Sequence, residues 1–220
     1  MGLIAIGDIH GCIETAKALV GRLAPTADDH LVFLGDYVDR GPDSKAVLDY
    51  LIALSGKHRC TFLRGNHEAL MLEYMDEGVH ELWQVNGGVA TLNSYAGVAR
   101  QVRIPAEHLA FIRSTVLYYN TPEFFFVHAG LRPDLTIKEN VRWCSEDVFL
   151  WERSHLEVAD EALAWEKPVV CGHTPRSQPI NRPKLIGIDT GCVYHMHPEM
   201  GRLTAVRLPE REFVSVPYQG

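Results

Sequence analysis

The sequence predicts an α/β protein built on a parallel or mixed sheet, and two observations support that prediction. First, short apolar runs typical of buried strands alternate with segments whose apolar residues recur at helical spacing. Second, the opening strands are each followed by a polar loop and a helix, the unit from which parallel sheets are built. In such sheets the loops after the strands converge at one edge. The predicted strands are residues 3–6, 31–34, 60–63, 124–127, 169–171, 185–188, 203–208 and 213–216.

Composition limits the classes of protein to which this chain can belong. Its 220 residues, 46% hydrophobic and 22% charged, predict one globular domain spanning residues 1–220. A formal net charge of -7 argues against a general DNA or RNA binder. No apolar run approaches the roughly 18 residues of a membrane helix, and no signal-peptide pattern opens the chain. We therefore expect a cytoplasmic protein without nucleic-acid or membrane partners.

The five cysteines include no Cys-x-x-Cys pair and leave one over. This pattern is neither a disulfide framework nor a thiolate zinc site. Most of the cysteines are expected to be small core residues.

The segment Gly35-Asp36-Tyr37-Val38-Asp39-Arg40-Gly41 follows the second strand and concentrates charge at its end. Asp36 can bridge cations, Asp39 can orient an acid–base group, and the Arg40 fork can bind phosphate oxygens in bidentate fashion. The alternative interpretation is a charged turn that precedes a helix beginning near Ser44, with Ser44 or Asp43 as its N-cap.

Two other strand ends carry metal-binding side-chain types. In Gly7-Asp8-Ile9-His10-Gly11 the alternation of an extended chain directs Asp8 and His10 to the same side. In Gly65-Asn66-His67-Glu68, Asn66 offers a carbonyl oxygen and His67 a group that titrates near neutral pH. That second motif is equally typical of a helix start capped by asparagine.

Single histidines follow two later strands, His128 after residues 124–127 and His173 after residues 169–171. One such histidine is more often a structural residue than a ligand, but five polar strand ends together supply enough O and N donors for two adjacent metals. Arg153 follows an apolar lead-in and is either directed inward or an ordinary surface charge.

Other residues are given structural interpretations. Residues 69–116 are predicted to be mostly helical, with a glycine-rich break at residues 86–88. Trp83 is interpreted as packing, and His80 and His108 as surface residues. His195 and His197 are interpreted as a surface turn, although a His-x-His pair can also bind metal adventitiously.

Taken together, the motifs resemble those of the phosphoprotein phosphatase family of dinuclear metallophosphoesterases, and most closely the bacterial and bacteriophage lambda-like protein phosphatases. The resemblance covers residues 7–174 in the family's order and implies a four-layer αββα sandwich of two mixed sheets flanked by helices. It is based on Gly7-Asp8-Ile9-His10-Gly11, Gly35-Asp36-Tyr37-Val38-Asp39-Arg40-Gly41, Gly65-Asn66-His67-Glu68, His128-Ala129-Gly130, Trp151-Glu152-Arg153, Gly172-His173-Thr174 and Asp189-Thr190-Gly191.

The resemblance also implies a role for each site residue. Arg40 and Arg153 would bind the phosphoryl oxygens together with Asn66, and His67, oriented by Asp39, would protonate the departing oxygen. The implied metal ligands are Asp8 and His10 for the first ion, Asp36 for both ions, and Asn66, His128 and His173 for the second.

Two divalent cations suit this reaction. Ions about 3.5–4 Å apart lower the pKa of a bridging water toward about 7 and neutralise charge that develops on phosphate, so the expected nucleophile is a metal-bridging hydroxide attacking in line. Histidine and carboxylate ligands without thiolate suit manganese, iron or zinc, and manganese is expected from the resemblance.

Three functions are compatible with these residues. The first is a serine/threonine protein phosphatase, and the alternative is a bis(5'-nucleosyl)-tetraphosphatase or another small-molecule phosphoesterase. Relatives that cleave dinucleoside polyphosphates tend to lack the residue equivalent to Asp39 and to carry aspartate at the position of Glu68, so these two residues favour the protein phosphatase. The third is a non-catalytic phosphate-binding module. The expected substrate is a phosphoprotein or a phosphorylated small molecule, and no regulatory subunit is indicated.

Overall fold

The structure is a computed structural model that describes residues 2–79, 81–96 and 102–220. Its described residues form two five-stranded mixed sheets that pack face to face with helices on their outer sides. The predicted sandwich of two mixed sheets flanked by helices is therefore confirmed. The first sheet has the strand order β10 (Glu212–Pro217), β9 (Arg202–Leu208), β1 (Leu3–Ile6), β2 (His30–Phe33) and β3 (Arg59–Phe62).

Strands β1, β2 and β3 run parallel, and β9 and β10 extend the sheet in antiparallel fashion. Parallel neighbours need a crossover that returns the chain to the starting edge. The helices α1 (Ile13–Leu23) and α2 (Ser44–Ser55) provide these crossovers, as the apolar spacing predicts. Asp43 caps α2 by accepting a hydrogen bond from the Ala46 backbone N–H at 2.9 Å.

The second sheet has three parallel central strands and one antiparallel strand on either side. The two outer strands were not predicted, because two or three residues are too few to show an alternating pattern. Its strand order is β4 (Tyr118–Asn120), β5 (Phe125–Val127), β6 (Val169–Cys171), β8 (Leu185–Gly187) and β7 (Ile180–Asn181).

Alternate residues of each central strand face different layers. In β1, Ala5 faces the second sheet, whereas Ile4 and Ile6 pack against the helices. Both faces are therefore buried, and this is why these strands appear in the sequence as continuous apolar runs. The main residues that meet between the sheets are Ala5, Val32, Leu34, Leu63, Phe126, Val170, Ile186, Ile188 and Val206.

The segment predicted to be mostly helical is divided by glycines into short pieces. Gly78 ends the first helix in the left-handed conformation, with φ of 72°, and Gly87 interrupts the chain with φ of 108°. The pieces are α3 (Asn66–Glu77), α4 (Glu81–Trp83), a π-helix (Gln84–Gly88), α5 (Val89–Tyr95) and α6 (Ala106–Ser114).

His108 is buried, so its interpretation as a surface residue was wrong. Its Nε2 lies 2.9 Å from the Asp49 carboxylate and its Nδ1 lies 2.6 Å from the Tyr95 hydroxyl. Because both ring nitrogens have partners, the imidazole can be buried without an unpaired polar atom. His80 lies outside the described residues.

Two further helices precede β6, α7 (Ile137–Trp143) and α8 (Glu146–Trp151), and Trp165 fills the core beneath α7. Within the described parts of the chain, we find no helix with both the length and the apolar character needed to cross a bilayer.

Candidate metal and phosphate site

The polar strand ends meet at one edge of the sandwich, at the carboxyl ends of the parallel strands of both sheets. The sheets pack against each other, so loops from both contribute to a common cluster. The structure brings together all the residues that the sequence singled out as metal ligands. They are Asp8 and His10 after β1, Asp36 after β2, Asn66 after β3, His128 after β5 and His173 after β6, and each is buried.

One set of donor atoms is contributed by Asn66, His128 and His173. The Nε2 atom of His128 lies 3.0 Å from Asn66 Oδ1 and 3.1 Å from His173 Nδ1, and Asn66 Oδ1 and His173 Nδ1 are 2.9 Å apart. His128 Nδ1 donates to the Leu34 carbonyl at 2.8 Å, which leaves the Nε2 lone pair for the cluster. Burial lowers the pKa of both histidines, that of His173 to about 2, so both are neutral near pH 7. Neutral imidazole is the form that binds a metal.

A second set is centred on His10. Its Nδ1 lies 2.9 Å from the Val38 carbonyl and donates to it, and its Nε2 lies 3.4 Å from Asp36 Oδ2. Burial lowers the pKa of His10 to about 3, so this imidazole is also neutral. His67 Nε2 lies 3.9 Å from the same Asp36 oxygen. The donor atoms of His10, Asp36 and His67 all lie within 4.8 Å of one another and could hold an ion.

Asp36 belongs to both sets, because Oδ2 faces His10 and Oδ1 lies 3.4 Å from His128 Nε2. Burial alone would raise its pKa, but the positive charge that the surrounding imidazoles carry when protonated, that of His128 above all, outweighs burial and holds the pKa below its ordinary value. The carboxylate is therefore ionised and has one oxygen available on each side. Asp36, His128 and His173 form the second group that could hold an ion.

Asp8 lies at the same edge but outside both of these groups. Its Oδ2 accepts a hydrogen bond from the His173 backbone N–H at 2.9 Å, whereas Oδ1 is buried and has no hydrogen-bond partner in the described part of the chain. Burial, followed by the negative charges of Asp189 and Asp36, raises the pKa of Asp8 well above its usual range. A cation beside this oxygen would offset the cost of burying a carboxylate, so Asp8 suits the first metal.

His67 forms a hydrogen-bonded pair with Asp39, as the resemblance implies. The Nδ1 atom of His67 donates to Asp39 Oδ2 at 2.7 Å, and the buried Nε2 atom has no hydrogen-bond partner among the described residues. Burial lowers the pKa of His67, but Asp36 and Asp39 outweigh burial and raise it above 6.5 overall. A protonated His67 could therefore give up a proton at Nε2.

Two residues that hold Asp39 were missed by the sequence interpretation. The Trp83 indole donates to Asp39 Oδ2 at 2.9 Å, and the Thr91 hydroxyl donates to Oδ1 at 2.6 Å. Trp83 was interpreted as packing, and it is indeed buried, but its N–H fixes the carboxylate that orients His67. No local pattern indicates either contact, since both residues lie more than 40 positions from Asp39.

Glu68 holds the loop that carries Asp36. Its carboxylate accepts hydrogen bonds from the backbone N–H groups of Asp36, Tyr37 and Gly65 at 2.8, 2.7 and 2.9 Å. Burial raises the pKa of Glu68 to about 7. Because this carboxylate is occupied with backbone donors, Glu68 supports the Asp36 loop from behind and does not line the phosphate pocket.

Arg40 and Arg153 line a pocket of about 90 Å³ together with Asp36, Asn66 and His67. Arg40 Nη1 donates to His10 Nε2 at 3.0 Å, and Arg153 Nε lies 3.3 Å from the Thr174 hydroxyl. Arg153 is exposed, as a surface charge would be, but its side chain also lines this pocket. Two guanidinium groups at a small pocket are suited to binding the oxygens of a phosphoryl group.

Gly87 positions Arg40 from the side of the π-helix. Its carbonyl accepts a hydrogen bond from the Arg40 backbone N–H at 3.2 Å, and a Cβ at this position would lie 2.7 Å from Arg40 Cγ. With φ of 108° as well, the position requires glycine. The neighbouring Asn86 lines the phosphate pocket and was not predicted to belong to the site.

The fold and these buried donors define a metallophosphoesterase. The family model described as Calcineurin-like phosphoesterase matches residues 1–205, and this chain belongs to that family. The resemblance read from the motifs is confirmed at this level. The family uses divalent metals, and the donor sets around Asp36 fit them.

The proteins similar to this chain include dinucleoside tetraphosphatases and a protein phosphatase. The chain is 30% identical over 235 residues to the asymmetrical bis(5'-nucleosyl)-tetraphosphatase PrpE of Anoxybacillus flavithermus, with 96% of this chain and 92% of that protein covered. A crystal structure assigned to a diadenosine tetraphosphatase has a TM-score of 0.74 and 25% identity, covering 100% of this chain and 94% of its own. A serine/threonine phosphatase from Saccharomyces cerevisiae has a TM-score of 0.67 and covers 100% and 80%, but at 16% identity it shows the fold alone.

Proposed function

We propose that this protein hydrolyses dinucleoside tetraphosphates asymmetrically, to a nucleoside monophosphate and a nucleoside triphosphate. The observation that supports this most strongly is the similarity over 96% of the chain to proteins named as asymmetrical bis(5'-nucleosyl)-tetraphosphatases. The proposal reverses the order in which the sequence motifs ranked the two functions. Glu68, one of the two residues that favoured the protein phosphatase, contacts backbone amides and does not line the phosphate pocket.

The site residues have separate roles in this reaction. Arg40 and Arg153 bind oxygens of the phosphate under attack, and Asn66 contributes its amide at the same pocket. His67, held by Asp39, protonates the bridging oxygen that leaves with the triphosphate. Overall, water adds one P–O bond at the phosphate next to a nucleoside, and the P–O bond toward the second phosphate breaks.

Two divalent cations complete the proposed site, with manganese as the first choice and iron or zinc also suited to the donors. Asp8 and His10 would hold one ion, Asn66, His128 and His173 the other, and Asp36 would contact both. When bound, such ions supply Lewis-acid stabilisation of the phosphate and an activated water.

Serine/threonine protein phosphatase activity is the second candidate, and the His67–Asp39 pair is the observation in its favour. A serine alkoxide is a poor leaving group that needs a proton, whereas a triphosphate departs more readily. An acid held by Asp39, which Trp83 and Thr91 hold in turn, is therefore most valuable on a phosphomonoester.

A comparison of substrates with added manganese distinguishes these functions. We expect kcat/KM to be higher for diadenosine tetraphosphate than for a phosphoserine peptide, with AMP and ATP as the chromatographic products. Two molecules of ADP would show symmetrical cleavage and contradict the proposal, and a higher kcat/KM on the phosphopeptide would restore the protein phosphatase. Hydrolysis of neither compound, with or without manganese, would instead favour a phosphate-binding module.

A further inference from the structure

A cavity of about 420 Å³ adjoins the phosphate pocket and has no role in the chemistry described above. Its volume falls within the roughly 300–1,000 Å³ typical of small-molecule sites. The phosphate pocket itself, at about 90 Å³, has room for little more than a phosphoryl group. Any larger part of a substrate must therefore lie outside that pocket.

Arg40 forms a wall common to the two spaces. It lines the phosphate pocket with Asp36 and His67, and it lines the cavity with Gly41 and Pro42. The short 3-10 helix Cys192–Tyr194 lies at the same boundary. Its Tyr194 lines the phosphate pocket, whereas Val193 and the following residue, His195, line the cavity. The Arg40 guanidinium carbon lies 5.7 Å from the centre of the Tyr194 ring. A ligand extending from one space to the other would pass this cation.

The cavity wall suits a flat, uncharged group. The His195 and Tyr218 rings are stacked with centroids 3.8 Å apart and planes within 6° of parallel. The two facing surfaces are in contact with each other, so a nucleobase would stack on an outer face of the pair. Asn93 adds an amide with both donor and acceptor atoms, and Pro42 and Ala90 add apolar contact. No carboxylate occurs among the described residues that line the cavity, so a neighbouring polyphosphate would meet no repulsion there.

A larger cavity of about 490 Å³ does not compete for this role. It is lined by Asn120 and Lys167, which lie at the amino-terminal ends of β5 and β6. That end of the sheet is opposite to the edge that carries His128 and His173. A substrate held at the phosphate pocket therefore cannot reach the larger cavity across the sheet.

We infer that the cavity lined by Pro42, Ala90, Asn93, Val193, His195 and Tyr218 is a nucleobase subsite. It would hold the base of the nucleoside whose own phosphate lies beside Arg40. This inference rests on the proposed function, because the proposed substrate is what supplies a nucleoside next to the phosphate. One base held directly beside the phosphate pocket brings the first phosphate of that nucleoside to the metal ligands, so cleavage there releases a monophosphate.

Direct binding tests this subsite without relying on turnover. The dissociation constants of AMP and of ribose 5-phosphate, which lacks the base, are measured by calorimetry with the manganese-loaded protein. We expect AMP to bind about tenfold more tightly, since base stacking on aromatic side chains has an effect of this order. His195→Ala and Tyr218→Ala should each remove most of that preference, whereas Tyr218→Phe should keep it.

His197→Ala is the matched control, because His197 is an exposed histidine two positions from His195 that lines neither space. It should leave the preference for AMP unchanged. Equal affinities of the wild-type protein for the two compounds would overturn the inference, as would a preference that survives in both His195→Ala and Tyr218→Ala. Since His195 is exposed, its variant tests the subsite even if Tyr218→Ala fails to fold.

The subsite and the proposed reaction can be rejected independently of each other. A preference for AMP without hydrolysis of diadenosine tetraphosphate would support the subsite and reject the proposed reaction. Hydrolysis of diadenosine tetraphosphate with equal binding of the two probes would support the reaction and reject the subsite.

Discussion

Replacing Asp36 with asparagine is expected to lower phosphoester hydrolysis by at least about 10³-fold and to reduce the bound metal from two ions per chain to one or none. The amide keeps the shape of the side chain but has a single carbonyl oxygen and no charge, so it cannot serve the donor sets on both of its sides. The rate is measured with p-nitrophenyl phosphate and manganese. Metal content is measured by elemental analysis of the desalted protein.

Asp76→Asn provides the matched control, because Asp76 is half-exposed and pairs with Arg113 at the surface. Surface ion pairs contribute little, so this variant should retain full activity and metal content. An Asp36→Asn protein that still bound two ions and turned over at the wild-type rate would show that Asp36 does not connect the two sites.

Replacing His67 with asparagine is expected to reduce the hydrolysis of a phosphoserine peptide or another alkyl phosphate by about 10²- to 10⁴-fold, the usual contribution of a general acid. The loss on diadenosine tetraphosphate should be smaller, because the departing triphosphate needs less help from a proton. Metal content should be unchanged. Steady-state kinetics on both substrates and elemental analysis check these outcomes.

Thr91→Val is the partner variant in this experiment. It removes one donor to Asp39 while leaving His67 in place, so its rate should lie between the rates of the wild-type protein and of His67→Asn. The loss should again be larger on the phosphoserine peptide than on diadenosine tetraphosphate. Unchanged turnover in His67→Asn would remove the assigned acid. Loss of metal from that variant would instead make His67 a ligand, which its position 3.9 Å from Asp36 Oδ2 permits.

The strand ends were the part of the structure that the sequence predicted best. Buried parallel strands appear as continuous apolar runs, so their ends are easily located, and the residues after them, such as Asp36 and His128, converge by the geometry of the sheet. A local pattern also predicted the helix that begins near Ser44, but it left the N-cap open between Ser44 and Asp43, and the structure shows Asp43. The short edge strands β4 and β7 had no such pattern.

Contacts between distant parts of the chain could not be predicted in the same way. Trp83 and Thr91 reach Asp39 only because the π-helix with Gly87 folds back against the Arg40 loop, and neither residue type indicates that function. His108 was placed at the surface because its partners on α2 and α5 are remote in sequence.

The similar proteins favour the opposite order of substrates from the one that the motifs favoured. Glu68 was treated as a residue that distinguishes two classes of enzyme, but in the fold its carboxylate faces the backbone of the Asp36 loop and not the phosphate pocket. A motif identifies which residues occur together in a family. Only the structure shows which of them face a substrate.

The most direct test of the account is the anomalous scattering of manganese in crystals of the wild-type protein grown with that ion. We predict two peaks about 3.5–4 Å apart on either side of the Asp36 carboxylate. Asp8 and His10 should contact one peak, and Asn66, His128 and His173 the other. A single peak, or manganese bound away from Asp36, would contradict the dinuclear site on which the proposed chemistry depends.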